Sequence, residues 1–144
     1  MIMANEPKRT EDEFELHDLA VVVEKIEGHC TCNMRAGDCF FVKSGKISLP
    51  DGADFCLYAM HSVMPLLPAK QRHNHPADWM ETDTRAVCLD PECRLVMRIE
   101  RTGKRILHHD DVSPIPWETI KRVTSGKKSA NPTKSVRRKP RNGT

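Results

Sequence analysis

Aromatic residues are scarce in this 144-residue chain, with one Tyr, two Trp and four Phe. Long apolar runs are missing too. No stretch approaches the roughly 18 apolar residues that span a bilayer, so no membrane span is expected. The opening MIMANEPKRTEDEFELHD has no apolar run after its charges, which argues against a secretory signal and for a cytoplasmic location. Six cysteines in that setting are expected to be reduced thiols or metal ligands, not a disulfide framework. There is no Cys-x-x-Cys, phosphate-binding glycine loop, nucleophile elbow, His-Glu-x-x-His or carboxylate pair at fixed spacing. What is present, 38% hydrophobic and 30% charged residues, fits a globular domain with polar appendages.

Acidic residues are absent beyond Glu118. Nine of the 23 Lys and Arg lie there, so residues 1–118 carry a net charge of −6 against +9 in the tail. From Thr119 the chain has almost nothing to bury, and residues 119–144 are expected to be a disordered basic tail. Such a tail suits nucleic acid through counterion release, although it lacks aromatics for stacking on single strands. An unidentified larger protein is the other expected partner.

Residues 1–15 lack apolar periodicity and read as a flexible acidic arm. The β-branched run Leu19 to Gly28 predicts a strand, and Gly28 to Gly37 a loop. A hairpin is expected from Cys39 to Lys43, through Ser44-Gly45, to Leu49. Asp54 is the expected cap of a buried helix over FCLYAMHSVMPLL, kinked or ended by Pro65 and stopped by Pro68. Residues 69–82 read as a loop. TRAVCL and CRLVMRIER predict two strands joined through an Asp90-Pro91 turn, with Leu95, Met97 and Ile99 facing inward. The expected fold is α+β: an antiparallel sheet of about five strands with one main helix, spanning residues 16–103. An extended docking segment anchored by Trp117 is expected over residues 104–118.

Cysteine spacing offers the main chemistry. Cys88 and Cys93 flank a four-residue loop and are expected opposite each other on adjacent strands, with Cβ atoms about 4.5–5.5 Å apart. Cys30 and Cys32 form a Cys-x-Cys pair, so Cys30, Cys32, Cys88 and Cys93 make one candidate tetrahedral site. The other reading is that Cys88 and Cys93 are small buried hydrophobes.

The stretch from Val21 to Arg101 resembles a family of small, uncharacterised bacterial and archaeal proteins. The motifs are Gly28-His29-Cys30, Gly37-Asp38-Cys39-Phe40, Cys56 to Ala59 with His61 and Pro65, and Cys88-Leu89-Asp90-Pro91. The resemblance singles out Cys30, Cys56, Cys88 and His61. Where family members carry Gly-His after the first cysteine, this chain has Asn33-Met34; Cys32, Cys39 and Cys93 are additions. Three Cys and one His would suit zinc or iron. Cys56 and His61, five residues apart, lie about 140° apart around a helix, so Cys56 converges more readily with Cys30 and Cys88 than with His61. A thiol-dependent activity of Cys56, placed in the first helical turn with His61 assisting, is the enzymatic alternative. His73-Asn74-His75 and His108-His109 read as surface histidines. The leading expectation is a non-catalytic accessory or binding protein that holds a metal ion through cysteine.

Overall fold

A computed structural model describes residues 9–125. Its first elements are β1 (Glu13–Ile26), β2 (Cys39–Lys43) and β3 (Lys46–Ser48). Helix α1 (Leu57–Val63) runs into a 3-10 turn (Met64–Leu66), then α2 (Leu67–Lys70) and α3 (Trp79–Thr82). Strands β4 (Arg85–Val87) and β5 (Leu95–His108) complete an antiparallel sheet in the order β3-β2-β1-β5-β4. The described chain divides into two compact units after His108, and the second holds α4 (His109–Val112) and α5 (Trp117–Ser125). No helix among the described residues is long and apolar enough to cross a membrane.

Strand alternation builds the core. Leu19, Val21 and Val23 of β1, Phe40 and Val42 of β2, Ala86 of β4, and Leu95, Met97 and Ile99 of β5 are buried together. Ala59, Val63 and Leu67 cover them from the helical layer, and α1 packs against β4. Each large side chain fully buried here contributes about 1.5–3 kcal/mol. β1 and β5 pair along nearly their whole lengths, with register shifts at Asp18/Leu19 and Val23/Lys25. The first shift leaves Thr102 without a partner on β1; the second leaves Glu24 without one on β5.

The five-stranded α+β fold agrees with expectation, but several boundaries differ. β1 begins at Glu13, inside the predicted arm, because β5 continues past Gly103 to His108 and supplies a partner for every residue from Glu13 to Asp18. Residues 104–108 are therefore strand, and the rest of the predicted docking segment holds α4 and the start of α5. In that second unit the Trp117 amide donates to the Asp110 carboxylate (2.7 Å), and the Trp117 ring packs on His109. This external cap makes 119–125 helical where disorder was expected; the remainder of the basic tail, 126–144, lies outside the described residues.

Helix α1 is preceded by Cys56 as its N-cap, with no side-chain cap bond, so Asp54 does not take that place. Pro65 tightens the chain into the 3-10 turn. Pro68 does not stop the helix, since it sits in the first turn of α2, where no amide donor is required. α3 forms inside the predicted 69–82 loop because the Asp78 carboxylate accepts from the Met80 amide (2.8 Å). Cys88 pairs with Leu95, its amide donating to that carbonyl (2.9 Å). Cys93 instead closes a turn with the Asp90 carbonyl (3.1 Å), and Arg94 follows with φ +48. The two cysteines are thus not cross-strand partners, because the connection runs from 89 to 94 and not from 89 to 92.

Candidate functional site

Gly28 begins the assembly of the thiols. Its amide donates to the Cys93 carbonyl (2.9 Å), the His29 amide to the Glu92 carbonyl (2.9 Å) and the Glu27 amide to the Arg94 carbonyl (3.3 Å). The Arg94 guanidinium donates back to the Glu27 carbonyl (2.8 Å). A Cβ on Gly28 would stand 1.9 Å from the Glu92 oxygen, so only glycine permits this approach. The chain then turns over Cys30 to Asn33, where the Asn33 amide donates to the Cys30 carbonyl (3.2 Å) and Asn33 takes φ +53. Met34 is buried in the core and anchors the loop.

Cys56, Cys88 and Cys93 are buried in the core, Cys30 packs against it and Cys32 is exposed. All six thiols are free. Burial pushes the Cys93 thiol up to about 11, and the nearby Cys30 and Cys88 thiols push it the same way. Side-chain contact with Cys56 raises the Cys32 thiol, with a smaller effect from Cys30. The sulfurs therefore run as a chain: Cys88, Cys93, Cys30, Cys32, Cys56.

Cys56 and Cys88, singled out by sequence, are buried in one core that Cys30 packs against; among the described residues no three thiol sulfurs lie within 4.8 Å of one another. His61 stands elsewhere: it is exposed beside Leu57, Met60, Met64 and Pro65 on the outer side of the helical layer. His61 lies two residues from each of the buried Ala59 and Val63, which places it on the opposite side of α1 from the core. Cys39 pairs with Val22 and alternates with the buried Phe40 and Val42, so it occupies the other face of the sheet.

A second group lies beyond the apolar core. Glu15 and His17 continue the inward alternation of Leu19, Val21 and Val23 along β1, past the end of the β2 pairing. There the 71–73 segment takes the place of β2, with the His17 amide donating to the Gln71 carbonyl (2.8 Å) and Gln71 Nε2 to the Ser44 carbonyl (2.8 Å). Glu15 Oε1 lies 2.5 Å from His73 Nε2 and 3.8 Å from His17 Nε2. Oε2 faces Arg9 and Lys104, the latter at 3.2 Å. Among the described residues, Glu15, His17 and His73 alone bring three metal-ligating atoms within 4.8 Å of one another. Burial raises the Glu15 carboxyl, but His73, Lys104 and Arg9 outweigh it and the net shift is downward. Burial, then Arg101 and His73, push the His17 imidazole down toward its neutral form.

No known protein family, curated protein or solved structure matches this chain.

Sequence reasoning passed over Glu15 and His17 and read His73 as a surface histidine, and its side chain is indeed 61% exposed. The Glu-x-His step preceding Leu19-x-Val21-x-Val23 was the available signal, since it keeps the period of two and puts both side chains on the face that becomes the core. His73 carried no comparable signal, because its position depends on Arg101. That guanidinium donates to the Lys70 (2.9 Å) and Arg72 (2.7 Å) carbonyls and pairs with Glu81 (2.5 Å).

Proposed function

We propose that this protein is a small metal-binding accessory protein that holds one thiophilic ion, zinc or iron, in its thiol cluster. Cys30, Cys56 and Cys88 are the ligands the family resemblance selects, and Cys93, near Cys30 and Cys88, replaces His61 as the proposed fourth ligand. Four sulfurs form a recognised closed zinc site, and they suit iron as well. The observation that carries the reading is that separate segments of the chain deliver thiols to one buried region, where burial and neighbouring sulfurs hold Cys93 protonated.

The thiol-enzyme alternative has less support. Cys56 caps a helix of only seven residues and lies against another thiol, Cys32.

Metal analysis of untagged protein tests the proposal. The expected result is close to one zinc or iron per chain, lost in both Cys30→Ser and Cys88→Ser while the far-ultraviolet spectrum still reports the sheet. Folded, metal-free protein in which Cys56 alkylates rapidly would overturn it and favour the enzyme.

A further inference from the structure

We propose that Glu15, His17 and His73 form a second metal site, of nitrogen and oxygen chemistry, that takes a divalent first-row transition ion. It is independent of the thiol cluster and shares no residue with it.

The Nε2 atom of His17 is buried and has no hydrogen-bond partner. Its side chain is 12% exposed, so this ring nitrogen carries a desolvation cost that a bound ion would remove. It is held against the Glu15 carboxylate, whose side chain is 2% exposed. Two imidazoles and one carboxylate on one side of an ion form a recognised ligand set for iron, zinc and related divalent ions, with positions left open for water or a small ligand.

Charge around the site is arranged by oxygen. Arg9 and Lys104 engage Oε2 alone, while Oε1 is turned toward both histidines. An outer-shell cation on the distal oxygen fixes the carboxylate, as ligating carboxylates commonly require. The third ligand is positioned from outside. Arg101 holds the Lys70 and Arg72 carbonyls, and Glu81 accepts from the Asn74 amide (3.0 Å), so the residues flanking His73 are tied to β5. His73 is 61% exposed, which leaves an entry path from solvent. Binding requires the His73 ring to exchange its hydrogen bond with Oε1 for the ion, a local movement of one exposed side chain.

Cobalt(II) titration of the full chain separates the two sites, because thiolate ligation gives an intense near-ultraviolet charge-transfer band and nitrogen–oxygen ligation does not. Wild-type protein is expected to take up one cobalt with that band and one without it. His73→Ala, an exposed position that does not threaten folding, and Glu15→Gln should weaken only the second uptake, by about tenfold or more. His75→Ala, on the same loop but outside the group, should leave both intact. Cys30→Ser should remove only the charge-transfer band, so failure of the thiol reading is visible separately. The second site is refuted if His73→Ala binds as wild type does, if His75→Ala weakens binding equally, or if no uptake without the band occurs.

Discussion

Replacing Gly28 by alanine is expected to unlock the contact between the Cys30 loop and the Cys93 turn. The new methyl carbon would stand 1.9 Å from the Glu92 carbonyl oxygen and 2.7 Å from that of Cys93, both backbone atoms that cannot rotate away. Relief requires the two segments to separate, which breaks the backbone bonds from Glu27, Gly28 and His29. At about 0.5–1.5 kcal/mol each these sum to about 3 kcal/mol. The stiffer unfolded chain returns about 0.4–1 kcal/mol, so the net loss is about 2 kcal/mol. Urea titration should show the midpoint falling accordingly, with faster hydrogen exchange at the amides of Gly28 and His29. Gly45→Ala is the matched control, because nothing lies within 4 Å of its added carbon. If Gly28→Ala unfolds within about 0.5 kcal/mol of wild type, the tight approach does not hold the thiol loop and the reasoning fails.

Other consequences are open to direct measurement. Glu81, held at about 2 chiefly by Arg101 against an ordinary 4.5, stabilises the fold fully above that ordinary value and loses the effect as pH falls through 2. Unfolding of wild type and Glu81→Gln should therefore differ by about 1–2 kcal/mol at neutral pH and converge in acid; a gap independent of pH would contradict this. Met97→Ala removes a side chain with no exposure at the centre of the sheet and should cost about 2–5 kcal/mol by denaturant titration. In metal-free protein, timed alkylation read by mass spectrometry should find Cys32 modified well before Cys93, which is buried and protonated. Equal rates would show that the Cys93 turn opens freely.

Legibility in the sequence followed the range of the forces involved. The period of two along β5, the Asp90-Pro91 turn and the helical spacing of Ala59 and Val63 are local, and they appear where periodicity placed them. Strand ends were not legible, because Glu13 to Asp18 become strand only through residues far along the chain, from Gly103 to His108. Pro68 was misread for a similar reason: proline ends a helix or starts one according to what precedes it, here a 3-10 turn. Among the site residues, Cys30, Cys56 and Cys88 stood out as a pattern. Cys32 and Cys93 entered only through the spacing of an alternative set, and the backbone approach at Gly28, which ties the Cys30 loop to the Cys93 turn, is something no spacing rule reports.

The bonding of residues 27–29 to residues 92–94 also has a consequence for biosynthesis. Cys30 leaves the ribosome long before the turn it packs beside exists, and β1 waits as long for β5, its partner over most of its length. During translation Cys30 is thus displayed to whatever thiols and metal ions surround the nascent chain. Its partial burial begins only when the last hairpin of the sheet has emerged.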